Sequence, residues 1–238
     1  EEMNTEAPGA DGLVIWDVGL GAASNAMAAI QCFETEYAGN PERFPRSLRI
    51  VSFECDLDPL TLAAKFPSHF PHLRHAAPHA LLQHGRWAHA SGLLTWELLK
   101  GDFLGFIETA PAPDLIFYDP FSSKTDTALW TSEVFARVRA RCGGKRAALF
   151  TYSAATSVRV ALLAAGFYVG EGVGTGPEAT TTGAVTEGPR AAIFYRQVRV
   201  SADRRTVTHR AMDWSAEHTP RKLLRWLEFS ERLAEKPS

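Results

Sequence analysis

Apolar residues arrive in short blocks separated by glycine, proline and polar turns, and the blocks alternate between two textures. Residues 13–18 (LVIWDV) form a run of strand length, apolar except for Asp17. The turn GLGAASN breaks it, and AMAAIQCFETEY then carries apolar positions at helical spacing. After a loop with two prolines, LRIVSFE predicts a second strand ending at Glu54, Cys55 and Asp56. Residues 60–90 predict helical pieces broken at Pro67, Pro71 and Pro78, followed by a third strand over 93–98. DLIFYD, from Asp114 to Asp119, is the clearest strand, and Pro120 stops it. A helix TSEVFARVRARC ends at Gly143–Gly144, and the strand KRAALFTY follows. Ser153 opens the helix AATSVRVALLAAG, which Gly166 ends. The apolar run FYVGEGV, a polar loop and AAIFYRQVRV come next. Residues 216–235 predict an amphipathic last helix, with Thr219 as cap and Pro220 in its first turn.

Strand and helix in alternation predict an α/β fold: a mostly parallel sheet with helices on both faces, and a late hairpin edge. The expected organisation is a flexible segment 1–12, one domain over 13–200, and a basic extension with a terminal helix over 201–238. Charge refines this little, because 25 Lys and Arg stand against 27 Asp and Glu, a formal −2. Binding to nucleic acid through bulk charge is therefore not expected, although residues 196–225 are locally basic. No apolar run is long enough to span a bilayer, and no leader pattern opens the chain. Cys32, Cys55 and Cys142 are scattered without a CxxC pair, which fits reduced thiols and a cytoplasmic location. Six of the 8 histidines crowd between His69 and His89, but without HExxH or neighbouring cysteines they predict no metal site.

Candidate chemistry sits where predicted strands end. Asp17 to Asn25 (DVGLGAASN) is a glycine turn between strand and helix, where a ligand can approach the backbone. It lacks the third glycine of a dinucleotide fingerprint and the Lys-Ser/Thr of a phosphate loop. Glu54, at the end of the second strand, could accept ribose hydroxyls, and Asp102, after the third, could face a base. Asp119 closes the most apolar strand, with Phe121 and Trp130 following as candidate surfaces for a flat ring. The ordinary alternatives stay open: tight turns, solvated acids and core aromatics.

Five segments together, WDVGLGAASN (16–25), VSFECDLDPL (51–60), LTWELLKGDF (94–103), DLIFYDPFSSKTDTALWTSEVF (114–135) and FTYSAATSVRVALLAAGFYV (150–169), carry a resemblance. They resemble S-adenosylmethionine-dependent methyltransferases. More narrowly, they resemble the methyltransferase domain of the bifunctional tRNA 5-methylaminomethyl-2-thiouridine biosynthesis protein and its stand-alone relatives. The resemblance implies a Rossmann-like class I fold with a seven-stranded sheet, and S-adenosyl-L-methionine as cofactor. It implies cofactor contacts from Asp17, Gly19, Gly21, Asn25, Glu54, Asp102 and Asp119, and a catalytic role for Asp119. Phe121, Trp130 and Glu178 fall at substrate positions. The implied reaction methylates the amine of 5-aminomethyluridine at the tRNA wobble position, making tRNA the partner. An FAD-dependent oxidase, the second activity of bifunctional members, is expected only as a separate partner. Where the family carries G-x-G-x-K-R-x-M, this chain reads Gly174-Thr-Gly-Pro-Glu-Ala-Thr-Thr, without the basic pair. Another RNA site or a small-molecule amine is therefore the alternative acceptor.

Overall fold

The computed structural model describes residues 12–39, 46–121, 127–172, 181–187, 196–200 and 207–209. They divide into two compact units, Glu1–Pro120 and Phe121–Ser238. In chain order the first unit contains β1 (Leu13–Val18), α1 (Ser24–Gly39), β2 (Leu48–Glu54), α2 (Asp58–Ala63), α3 (Ala76–His84), β3 (Arg86–Ala88), β4 (Leu94–Lys100), α4 (Phe103–Phe106) and β5 (Leu115–Tyr118). β1 lies between β5 and β2, β4 lies outside β2, and all four run parallel. The short β3 adds an antiparallel edge to β4.

This arrangement follows from burial. The last four residues of β1, Asp17 among them, are buried, as expected of a mostly apolar strand covered on both faces. On one face Trp16 meets Phe53 and Phe103 edge-on, at centroid distances of 5.2 and 5.9 Å. Met27, Ile30 and Phe33 of α1 join Leu60, Leu73 and Leu81 in a core cluster with Ile15, Ile50 and Trp96. Ala26, Met27, Ile30 and Phe33 recur at helical spacing, so a single stripe of α1 is buried.

The second unit contains α5 (Ser132–Arg141), β6 (Ala148–Thr151), α6 (Thr156–Ala164), β7 (Tyr168–Gly172), β8 (Thr181–Val185), β9 (Arg196–Val200) and β10 (Val207–His209). β8 pairs with both β6 and β7, β7 with β9, and β9 with β10, each antiparallel. Thr186 closes the start of β6: its hydroxyl donates to the Lys145 carbonyl at 2.8 Å and accepts from the Ala147 N–H at 2.9 Å.

The molecule is thus a mixed α/β fold, a central sheet with flanking helices, consistent with the Rossmann-like class I expectation. Three details differ from the sequence reading. The described residues hold ten strands rather than seven, and the pairings described within the second unit are antiparallel. Residues 86–88, expected within helical pieces, form an edge strand because Gly85 takes the left-handed region (φ 69°) and caps α3 there. Residues 181–185, expected in a polar loop, form a fully buried strand, since threonine suits a pleated surface as well as valine does. Among the described residues no helix is long and apolar enough to cross a membrane. The terminal helix expected over 216–235, and Glu178, lie outside the described residues.

Candidate functional site

The parallel register of the first unit gathers its acids. Asp17 on β1 pairs with Ser52 on β2 and with Phe117 on β5. Glu54 and Asp119 each lie two residues beyond those partners, so three carboxylates come to the same end of adjacent strands. This is the carboxyl end, where parallel sheets bind ligands.

Between them runs the glycine turn. Gly19 has φ 86°, and a Cβ there would strike the Asp119 carbonyl and lie 2.7 Å from the Pro120 Cα. Only glycine lets β1 turn this close to the end of β5. Gly21 has φ 50°, and a Cβ there would meet nothing within 4 Å. The second glycine therefore faces open space that a ligand can enter. Ala23, at φ 62°, extends the left-handed stretch to the start of α1.

Glu54 holds this turn. Its Oε2 accepts from the Gly21 N–H at 3.2 Å, and its Oε1 accepts from the N–H groups of Cys55 and Asp56 at 2.9 and 3.1 Å. Asn25, in the first turn of α1, donates its amide N–H to Asp119 Oδ2 at 3.0 Å and orients that carboxylate. His72 bonds the Ala22 carbonyl through Nε2 at 2.9 Å, and so ties the turn to the chain before α3.

Asp17 sits beneath the turn, 1% exposed. Its Oδ2 accepts the Ser52 hydroxyl proton at 2.8 Å, and Ser52 Oγ in turn accepts from Trp96 Nε1–H at 2.8 Å. Asp17 Oδ1 is buried with no hydrogen-bond partner among the described residues. Burial pushes this carboxyl up from an ordinary 3.8 to about 7, opposed by the Ser52 bond and reinforced by the charges of Asp119 and Glu54.

The other sequence candidates are placed as follows. Asp102 is exposed and accepts from the Leu104 N–H at 3.0 Å, capping α4. The Gly101 N–H before it bonds the Glu54 carbonyl at 2.9 Å, which couples this loop to the end of β2. In the second unit Phe121 is 59% exposed, whereas Trp130 is 8% exposed and donates its indole N–H to the Phe121 carbonyl at 2.9 Å. Trp130 therefore braces the chain at Phe121 and shows little open ring. The crowded histidines have separate tasks: His75 meets Glu34 at 3.0 Å, and His79 bonds the Leu73 carbonyl at 2.9 Å. Ser52 and Trp96 escaped the sequence reading. The available signal was a serine within the otherwise apolar core of LRIVSFE, where burial demands a polar partner.

The cradle fits S-adenosyl-L-methionine in one testable respect. The open space over Gly21 and the orphaned, buried oxygen of Asp17 suit a ligand that brings positive charge to the carboxyl ends of β1, β2 and β5. A family model described as S-adenosyl-L-methionine-dependent methyltransferase matches residues 65–187. The chain is similar to the tRNA 5-methylaminomethyl-2-thiouridine biosynthesis bifunctional protein of Chromobacterium violaceum, 28% identical over 186 residues, covering 74% of this chain and 27% of that protein. The protein of the same name from Caulobacter sp. strain K31 is 32% identical over 196 residues, covering 76% and 31% respectively. The chain thus spans less than a third of the length of these curated relatives. The crystal structure of MNMC2 from Aquifex aeolicus shares the fold, with TM-score 0.55 and 22% identity over 92% of this chain and 69% of that one.

Proposed function

The chain belongs to the S-adenosyl-L-methionine-dependent methyltransferase family, and from that premise we propose that it methylates the primary amine of 5-aminomethyluridine at the tRNA wobble position. The observation that carries this reading is Asp119. It stands at the end of β5 against the glycine turn, with one oxygen held by Asn25. The names of the curated relatives support the acceptor.

The cofactor would supply a methyl group on a sulfonium, open to displacement from the side opposite the sulfur. The chain must then align acceptor nitrogen, methyl carbon and sulfur along one line, which is catalysis by positioning. Gly19 and Gly21 let the methionine portion lie against the backbone. Glu54, already fixed by three backbone N–H groups, faces the ribose, and Asp102 the adenine side. Asn25 keeps the Asp119 carboxylate aimed while it accepts a hydrogen bond from the acceptor amine. An amine attacks only with its lone pair free, so Asp119 also takes or relays the proton lost on methylation. Phe121, which is exposed, would take the uracil ring, and the Trp130 indole N–H holds its backbone carbonyl. Glu178 is the remaining substrate-binding candidate of this reading.

The test is transfer of labelled methyl to tRNA carrying 5-aminomethyluridine, with fully modified tRNA as control and nuclease digestion to locate the label. Label at the wobble nucleoside is expected. Cofactor binding without that label would move the reading to another RNA site or a small-molecule amine. Replacing Asp119 by Ala is expected to cut turnover about a hundredfold or more while changing cofactor affinity little. Near-normal turnover would remove Asp119 from the reaction centre.

A further inference from the structure

The three acids at the cofactor end differ in how their charges are met. Glu54 receives three backbone N–H groups, and Asp119 receives the Asn25 amide. Asp17, the most deeply buried, has a single donor. The Ser52 hydroxyl has only one proton to give. Because Ser52 accepts from Trp96, that proton is committed to Asp17 Oδ2. Oδ1 is buried and has no donor at all. The charged groups that bear on Asp17 are Glu54 from the β2 side and Asp119 from the β5 side, and both are acidic. Ser52 and Trp96, its other polar neighbours, are neutral. A second or third negative charge in this arrangement needs either a proton or an incoming cation.

Methyl transfer changes the ligand in the one property this arrangement senses. S-adenosylmethionine carries a sulfonium cation, and S-adenosylhomocysteine, its product, carries a neutral thioether. The amino-acid group is the same in both. We propose that Asp17 is a specificity-determining residue that separates the charged cofactor from its neutral product: it gives up its proton to solvent when the sulfonium enters and holds it just as the free protein does when the thioether occupies the site. The inference rests on the cofactor part of the proposed function and is independent of the methyl acceptor. Its consequence is an affinity ratio that favours cofactor over product more strongly as pH rises through neutrality. Because Asp17 titrates near 7, this falls within the working range.

The experiment is calorimetric titration of the full chain with each ligand from pH 6.0 to 7.5, in pairs of buffers with different ionisation enthalpies. The common amino-acid group cancels in the ratio of affinities. That ratio is expected to rise about eightfold across the range, the change in ionised fraction of an acid titrating near 7. At pH 6.5 the sulfonium ligand should release about 0.8 proton more than the thioether, by the same arithmetic. In Asp17→Asn, which retains an acceptor for Ser52, the ratio should become flat. A flat ratio and equal proton counts in the native chain would overturn the inference while leaving the cofactor assignment standing. So would an unchanged pH slope in Asp17→Asn. If neither ligand binds, the inference falls together with the cofactor assignment. Should the variant not fold, the proton counts on the native chain decide the matter alone.

Discussion

Single residues at the carboxyl end of β1, β2 and β5 carry opposite obligations to stability and to binding. Asp17 is the clearest. Its native carboxyl binds a proton up to about pH 7, whereas in the unfolded chain it releases that proton near 3.8. Between those values the native state holds more protons than the unfolded one, so stability falls as pH rises from about 4 to about 7 and then levels. At about 1.36 kcal/mol per tenfold change in proton affinity, the full contribution is roughly 4 kcal/mol. Urea midpoints from pH 4.5 to 8 should show this decline in the native chain. Asp17→Asn should lack this component, and an identical profile would mean that Asp17 is ionised throughout. Glu54 serves the fold differently, through the three backbone N–H groups it accepts from. Glu54→Gln keeps the shape but weakens three N–H bonds and the proposed ribose contact, and should lower cofactor affinity about tenfold. Unchanged cofactor titration would remove Glu54 from the ribose.

At the scale of elements, the turn from β1 into α1 decides whether the site exists. Gly19 must be glycine for two reasons, its positive φ and the backbone of Asp119 and Pro120 against it. Gly21 needs only the first, since nothing lies within 4 Å of its Cβ position. Gly21→Ala is therefore expected to cost about 1 kcal/mol of stability, the ordinary penalty for a left-handed alanine. Gly19→Ala must also push β5 away, and should cost about 3 kcal/mol or more. Denaturant midpoints with equal slopes for the two variants would compare these costs. Equal losses would show that the end of β5 yields freely. In ligand binding the order reverses, because the methyl group of Gly21→Ala projects into the space assigned to the cofactor.

At the scale of the whole molecule, the proposed tRNA acceptor is a polyanion, whereas the chain carries a formal charge of −2. Counterion release contributes about 0.9 to the log–log salt slope for each phosphate neutralised on a duplex, and about 0.7 on a single strand. With acids and bases almost balanced, tRNA binding by this chain should show a shallow slope, weaker than about −4. Restoring the basic pair with Glu178→Lys and Ala179→Arg should steepen it by about 1–2 and tighten binding. Filter binding between 50 and 200 mM salt, a range set by the same relation, would measure both. A steep native slope would mean that the bases of residues 196–225 act together as one surface.

Sequence alone determined the alternation of strand and helix, the glycine turn and the acids at strand ends. Each is local: a run of apolar residues, a glycine before a helix, or a carboxylate after a strand identifies itself within a few neighbours. Asp17, Gly19, Glu54 and Asp119 could therefore be singled out before any contact was known. What needed tertiary structure was non-local. The strand β8 is built of threonine, glycine, alanine and valine, and becomes a strand because β6 and β7 pair with it on both sides. The edge strand β3 exists because β4 lies beside residues 86–88. Trp130, a candidate ring platform in the sequence, is buried, packs edge-on against Phe135 and donates its indole N–H to the Phe121 carbonyl. The proton on Asp17 depends on burial beneath the sheet's end and on the charges of Asp119 and Glu54, against the opposing bond from Ser52, 35 positions away. Register between parallel strands brings these residues together, and register is decided by packing of the whole sheet rather than by any one segment.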